Sequence, residues 1–484
     1  MDVGHEVSRH ALPDDNVIWQ CLHCRGPLAS VEFGFQCAGC GKLYPVLAGI
    51  PHLIREPASY FRAERASLVQ AARGARQRMD LLAEVEPYVG LPDITLERHR
   101  DVLSAEAAQA ETLLALLEPS TSASGKLIGD VGDPDVRRPG WSFYTLVSYL
   151  LRDWTDTSEL RDTCGRIRAA LKKAFPRPSG KSVAFAGCGA GGLLAEVATD
   201  FARVLGFDLT LPILAAARQL LDGKTLDLAL PRILNRSGRI SLRRRDPRAA
   251  NRYVELVAMD ALDSAFADCS IDCIVTAFLT DILPDPRALA REVHRVLPQN
   301  GVWINYGPSG NNLKALWRFD QQEAEAFFAT AGFTVVHAEA QRGTNLDITG
   351  VCPPASFRNA MCYTTIVRKT GEAEPTQAVT TALPAKLWDI VPQHFPGARV
   401  VHPLVADEGG GVILQHDRIA ERPEHWELGG RAARMMVLVD GVRTVGEISK
   451  LLHQRNPPQS LDETHRAFAR FFEQGLLRWS DRNT

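Results

Sequence analysis

The sequence predicts an α/β protein built on a doubly wound, mostly parallel sheet, and three observations predict it. Short apolar runs at residues 183–186, 204–208, 254–258, 271–278, 302–306 and 334–339 alternate with helical patterns, notably 286–297 and 321–330. Such alternation lays helices on both faces of a parallel sheet. A glycine loop, Gly187-Cys188-Gly189-Ala190-Gly191-Gly192, follows the first run, and an acid, Asp208, ends the second. From Gly187 to Asp208 is 21 residues, the spacing of a Rossmann-like βαβ unit that sets a strand-end carboxylate beside a ribose.

Size and charge bound the rest. A chain of 484 residues exceeds what one core serves, so two to four domains are expected. Lys plus Arg number 55 against 57 Asp plus Glu, net −2, a balance that argues against a general nucleic-acid binder. The opening MDVGHEVSRHALPDD has no apolar core, and no run of 18 apolar residues occurs, so a cytoplasmic protein with no membrane segment is expected. Ten cysteines in so long a chain do not make a disulfide scaffold.

In chain order, residues 1–18 read as a flexible tail. Residues 19–56 carry two C-x-x-C knuckles, Cys21/Cys24 and Cys37/Cys40, with twelve residues between them. Each knuckle presents two thiolates on a tight turn, and together they close a tetrahedral Zn²⁺ shell, so the predicted zinc ribbon is structural rather than a redox pair. Residues 57–125 read as a helical region ending in a linker at 119–125. Leu68, Ala71 and Ala72 mark one apolar stripe, and Leu103, Ala107, Ala110 and Leu114 mark another. Residues 126–370 hold the central domain: a helical region over 141–175, the βαβ unit, the further strands, and a final antiparallel edge strand at 363–367. A second linker spans 371–386, and 387–484 form a separate unit.

A glycine loop by itself serves NAD, FAD or S-adenosylmethionine. Three later segments favour the last: Ala258-Met259-Asp260-Ala261, Thr280-Asp281 after the fourth strand, and Leu297-Pro298-Gln299-Asn300-Gly301-Val302-Trp303-Ile304, with no second phosphate-binding element evident. These resemble class I methyltransferases. The ribbon, through Tyr44-Pro45-Val46 and Gly49-Ile50-Pro51-His52-Leu53-Ile54, resembles the zinc-ribbon activator of tRNA and protein methyltransferases. That resemblance implies support for a methyltransferase domain and no chemistry of its own.

A narrower resemblance rests on Arg152-Asp153-Trp154-Thr155-Asp156 with Glu159, Arg161, Asp162 and Cys164, on residues 274–281, and on Gly301 through Pro308. Over roughly 140–370 the chain resembles the carnosine N-methyltransferase family, which implies imidazole N-methylation with S-adenosylmethionine. By position, the resemblance puts Arg152 at the methionine carboxylate and Gly187 under the methionine, with Gly189 and Gly191 also binding the cofactor. It puts Asp208 at the ribose, Asp260, Ala261 and Ala277 along the adenine and methionine, and Asp281 at the imidazole. Asn312 stands where the family has a substrate histidine, and Tyr363 lies near the family's tyrosine cluster, replaced here by Arg358-Asn359-Ala360. These departures bear on carnosine as the substrate, not on methyl transfer. The expected catalytic set is Asp281, Asn312 and Tyr363.

Residues 232–252 hold eight arginines and one acid, Asp246, which reads as a solvated insertion or as a dock for an acidic peptide. The C-terminal unit shows a hairpin around 407–410, a capping box Thr444/Glu447 and a closing helix. Its words L-V-D-G-V-R-T-V-G-E-I and F-F-E-Q-G-L-L resemble the peptide-chaperone domain of pyrroloquinoline-quinone biosynthesis. That winged-helix domain implies capture of a leader peptide, with an acidic leader among the expected partners. The expected activity is therefore N-methylation of a histidine imidazole in a peptide. The alternatives are a free histidine derivative as substrate, or a non-catalytic adaptor that keeps the cofactor fold.

Overall fold

The computed structural model describes residues 19–117, 143–197, 201–230, 238–244, 254–283, 286–308, 319–345, 358–372, 390–393, 398–401, 412–416, 424–428, 435–436, 438–454, 464, 467–469, 471 and 477–481. The chain divides into two units, Met1–Glu374 and Pro375–Thr484.

The first unit opens with a four-stranded antiparallel sheet, β1 (Leu28–Val31), β2 (Gly34–Cys37), β3 (Leu43–Leu47) and β4 (Ile50–Pro51). Gly34 is required there, because a Cβ at that position would lie 2.1 Å from the Tyr44 carbonyl oxygen. Helices α1 (Pro57–Val89) and α2 (Asp93–Leu116) follow, joined at Gly90, whose φ of 59° ends α1. They pair as a hairpin stitched by Arg76–Glu111 and by Arg78–Glu106 at 2.6 Å. The two helices match the apolar stripes of the sequence.

The helical region expected over 141–175 is two helices, α3 (Phe143–Trp154) and α4 (Ser158–Ala174). Threonines make the break. The Thr155 hydroxyl donates to the Leu151 carbonyl, and the Thr157 hydroxyl caps α4 by accepting from the Leu160 amide at 3.2 Å.

The central elements are β5 (Ser182–Ala186), α5 (Gly192–Val197), β6 (Arg203–Asp208), α6 (Leu211–Leu221), β7 (Leu226–Ala229), β8 (Arg239–Leu242), β9 (Glu255–Ala258), β10 (Cys273–Ala277), α7 (Pro286–Val296), β11 (Val302–Pro308), α8 (Gln321–Thr330), β12 (Phe333–Asn345) and β13 (Arg358–Lys369). Seven strands form one mixed sheet, β12-β13-β11-β10-β5-β6-β9. The five from β11 to β9 are parallel, and β13 runs antiparallel to both β11 and β12. The expected edge strand is thus interior, and β12 takes the edge. Consecutive residues Thr364, Thr365, Ile366 and Val367 are all buried, which suits a strand covered on both sides and not an edge.

The arginine-rich stretch is partly a strand. β8 pairs with β7, with Leu226 opposite Leu242, and Leu226, Leu228 and Leu242 are buried. Arg239 and Arg243 remain exposed; residues 231–237 and 245–253 lie outside the described residues.

Alternation along each strand divides the core. Val183, Phe185, Val275, Ile304 and Tyr306 pack on the face covered by α1 to α6. Ala184, Ala186, Phe207, Ile274 and Trp303 pack on the face covered by α7, α8 and the four-cysteine segment. The N-terminal segment thereby clasps the β9 edge. His52 bridges Ala258 in parallel, the Leu53 amide donates to the Ala258 carbonyl at 2.9 Å, and Trp19 stacks on Phe266 with centroids 5.0 Å apart. Covering that edge removes a row of unpaired backbone groups.

In the second unit β14 (Ile390–Gln393) pairs with β18 (Arg478–Asp481), and β15 (Ala398–Val401), β16 (Val412–His416) and β17 (Glu424–Leu428) form an antiparallel sheet. The β15/β16 pairing gives the expected hairpin; β17 was not foreseen. Helix α9 (Val445–His453) carries the expected capping box, with Thr444 Oγ1 accepting from the Glu447 amide and Glu447 accepting from the Thr444 amide. Met435, Met436, Ile448, Leu452, Phe468 and Phe471 form its core. No described helix is long and apolar enough to cross a membrane.

His52 is fully buried against Phe61, and burial pushes its pKa down to about 3. The folded chain therefore keeps this ring neutral while the unfolded chain protonates it below about pH 6.5, so stability falls with pH through that window. From pH 6.5 to 5 the expected loss is about 2 kcal/mol from this group. Urea titrations at the two pH values should show it in the native chain and a smaller loss in His52→Leu; equal losses would contradict it.

Candidate functional site

The loop after β5 turns back on itself through three left-handed glycines, Gly187 (φ 65°), Gly189 (φ 53°) and Gly191 (φ 77°). A side chain at Gly187 would meet Leu279 at 2.9 Å, whereas nothing lies within 4 Å of a Cβ placed on Gly189. The space above Gly189 is thus open for a ligand to approach the backbone.

Two neighbours fix the loop. Asp208, at the end of β6, accepts from the Gly189 amide at 3.0 Å and from the Thr210 amide at 2.8 Å. Its burial raises the carboxyl pKa, and those two donors oppose the rise. From the other side, the end of α3 grips the loop. The Asp153 carboxylate accepts from the Gly192 amide at 3.2 Å, and the Trp154 indole donates to the Ala190 carbonyl at 2.8 Å. A Cβ on Gly192 would stand 2.3 Å from the Asp153 carbonyl oxygen, so this contact admits only glycine.

Arg152 is buried, not on the surface, and donates from Nε to Asp153 at 2.8 Å. Its guanidinium lies 4.8 Å from the Tyr149 ring centroid and 5.7 Å from that of Phe278, which suits a desolvated cation. Phe278 itself adopts φ 55° at the end of β10, and its amide donates to the Tyr306 carbonyl at 2.8 Å. Asp281 is 3% exposed. The Tyr149 phenol has a raised pKa through burial, and it also feels the charges of Arg152, Asp281, Asp208 and Asp153. By geometry, Arg152 pairs with Asp153, Asp153 and Asp208 both bind the glycine loop after β5, and Asp281 follows the end of β10.

Asp260 follows β9 and accepts from the Leu262 amide at 2.9 Å; Ala261 is half-buried beside it, and Ala277 ends β10. Tyr60, from α1, is buried, feels Asp208 and Asp260, and donates to the Leu209 carbonyl. Of the expected catalytic set, Asn312 lies outside the described residues. Tyr363 stands on the other face of the sheet, in an apolar cleft with Thr280 and Asn305. Sequence reasoning missed Tyr149, Asp153, Trp154 and Tyr60 as parts of the site. Tyr149 was findable, one helical turn before Arg152; Tyr60 carried no signal, because only folding brings α1 to the end of β6.

The four cysteine sulfurs lie within 4.8 Å of one another, with Cys21–Cys40 at 3.6 Å and Cys24–Cys37 at 3.4 Å. The sulfur–sulfur edge of a tetrahedral thiolate zinc centre is about 3.8 Å, so the donor set fits Zn²⁺. Tyr44 is buried against it, 3.3 Å from Cys21 Sγ, and accepts from the Leu22 amide.

Residues 185–304, which contain this glycine loop and Asp208, Asp260 and Asp281, match the model of a family described as Methyltransferase domain. The chain carries a methyltransferase domain. It is an enzyme of that class. Among solved structures, a methyltransferase from Bacillus halodurans is similar at 15% identity and TM-score 0.30, over 42% of this chain and 99% of that one. The N-methyltransferase NodS from Bradyrhizobium japonicum, in complex with S-adenosyl-L-homocysteine, is similar at 16% identity and TM-score 0.31, over 47% and 97%. Magnesium protoporphyrin IX methyltransferase from Synechocystis, with bound S-adenosylhomocysteine, is similar at 14% and 0.32, over 47% and 94%. At these scores the likenesses carry no inference about substrate. No curated protein matches the chain.

Gly192→Ala is expected to cost about 1–3 kcal/mol by overpacking and to loosen the glycine loop. Thermal unfolding should show the loss; an unchanged melting temperature would mean that α3 does not hold the loop.

Proposed function

We propose that the protein is an S-adenosylmethionine-dependent N-methyltransferase acting on a histidine imidazole within a peptide. The observation that carries this reading is the glycine loop held by Asp208 and Asp153, with buried Arg152 bonded to Asp153 and buried Asp281 following β10. A buried cation suits an amino-acid carboxylate, and a strand-end acid suits ribose hydroxyls. The open space over Gly189 leaves room for the chain between them. When bound, S-adenosylmethionine supplies an electrophilic methyl group.

The residues of the chain do the rest. Arg152 holds the carboxylate end, and Asp208 and Asp260 hold the nucleoside end. The burial of Asp281 and the rings of Tyr149 and Phe278 exclude water from the reaction volume. A neutral imidazole already offers a lone pair at pH 7. Asp281 accepts from its other N–H, which fixes the tautomer and stabilises the positive charge that develops on the ring. Such a partner contributes about 10²–10⁴-fold.

The two flanking parts complete the proposal. Cys21, Cys24, Cys37 and Cys40 hold a structural Zn²⁺ in a ribbon, a reading that their sulfur geometry supports. The C-terminal unit acts as a winged-helix element that captures a leader peptide by adding it as a strand; the antiparallel β15-β16-β17 sheet is compatible with that mode.

Three outcomes are expected. Asp281→Ala should lower kcat about 10²–10⁴-fold while calorimetry finds S-adenosylmethionine binding within a few-fold of native; undiminished turnover removes its role. Mass spectrometry should find +14 Da on the histidine of a peptide substrate, with kcat/KM well above that for free histidine; equal efficiency would favour the small-molecule substrate. Cys37→Ser should lower bound zinc and the melting temperature together, and a native zinc content in that variant would exclude the four-cysteine site.

A further inference from the structure

On the face of the sheet away from Arg152, a cleft of about 660 Å³, counting its open mouth, lies between α8 and strands β11, β13 and β12. Register explains its shape. Asn305 of β11 stands opposite Thr365 of β13, and Thr365 opposite Ala338 of β12; one row further, Gly307 stands opposite Tyr363, and Tyr363 opposite Ala340. A bulge between Val335 and His337 decides the last column. Paired without the bulge, the same residues would put His337 opposite Thr365 and facing the cleft; with it, small Ala338 takes that place, and His337 turns to the other face against Lys173 at 2.9 Å. The floor is therefore low, and Trp303, Phe319, Phe327, Phe328 and Tyr363 wall the space with rings.

One polar group in this apolar space has a fixed direction. The Trp303 indole, which can only donate, gives its proton to Thr276 Oγ1 at 2.9 Å. The Thr276 hydroxyl proton then has Asn305 Oδ1 at 2.7 Å, against the Ile304 carbonyl at 3.5 Å. The nearer acceptor takes it. Thr280 supplies a second hydroxyl to the same oxygen at 3.2 Å. With its oxygen occupied from both sides, the Asn305 side chain is locked, and its Nδ2 donors are left for the cleft; no described residue accepts from them. The buried chain of donors thus ends in an amide that asks for an acceptor.

We propose that this cleft is a second recognition pocket for the acceptor substrate, taking a flat aromatic group that bears a carbonyl oxygen or bare ring nitrogen for Asn305. Its role rests on the methyl-transfer reading: Thr280, which lines the cleft, immediately precedes Asp281, so a substrate seated here reaches the site around the strand end. The ring stacks among Phe319, Phe327 and Tyr363, and the acceptor atom meets Nδ2. A ring without an acceptor leaves that donor unmatched and binds less well.

Benzamide and toluene test this in the full-length chain by protein-observed NMR titration, which needs no turnover. Benzamide should bind saturably and at least tenfold tighter than toluene. Asn305→Leu, which keeps the volume and removes the donors, should reduce the preference to near unity. Ala324→Trp, which fills the cleft from α8, should abolish binding of both probes. Equal binding of the two probes by the native chain, or unchanged benzamide binding in Ala324→Trp, would overturn the proposal. A preference retained in a folded Asn305→Leu would do the same. Benzamide that binds as expected while no histidine peptide is methylated would leave the pocket standing and defeat the imidazole reading instead.

Discussion

The site depends on one buried carboxylate. Asp153 is 1% exposed, and it joins two otherwise unrelated things: the Arg152 guanidinium at the end of α3 and the first amide of α5. A charge at that depth is tolerated only when it is paired and hydrogen-bonded, and here both conditions are met within one residue of the cation. The same pairing aims Arg152 across Tyr149 and Phe278 and holds the glycine loop against α3. Loop, cation and aromatic wall are therefore positioned together.

A second dependence runs through the N-terminal segment. The four-cysteine sheet contributes Trp19, Leu22, Phe35, Tyr44 and Leu53 to the same core that holds Ala186, Phe207 and Ile274 of the sheet, while α1 and α2 contribute Phe61, Leu68 and Leu113 to the opposite core. One stretch of chain thus covers both faces and the β9 edge. It also delivers Tyr60 to the end of β6, where its hydroxyl donates to the Leu209 carbonyl. A segment that reads as an appendage in sequence is part of the wall of the site.

The two faces of the sheet differ in character. Arg152, Tyr149 and Phe278 meet on the side of α3, where charge is concentrated; Asn305, Trp303 and Tyr363 meet on the side of α8, where rings enclose a single directed amide. The residues 278–281 after β10 lie between them, since Phe278 contacts Arg152 and Thr280 contacts Asn305. Position 281 therefore closes a short segment that touches both sides.

The sequence by itself determined what is local. The alternation of apolar runs specified the parallel strands, the positions of Gly187, Gly189 and Gly191 specified a loop of positive φ, and the spacing of Cys21, Cys24, Cys37 and Cys40 brought four sulfurs together, because each of these depends on neighbours a few residues away. Thr444 and Glu447 formed their capping box for the same reason. Only the tertiary structure decided that β13 lies inside the sheet, that a bulge at Val336 exchanges His337 for Ala338 in the cleft, and that Tyr60 reaches the Leu209 carbonyl. Those outcomes are set by pairing and packing between segments far apart in the chain, which no local pattern encodes.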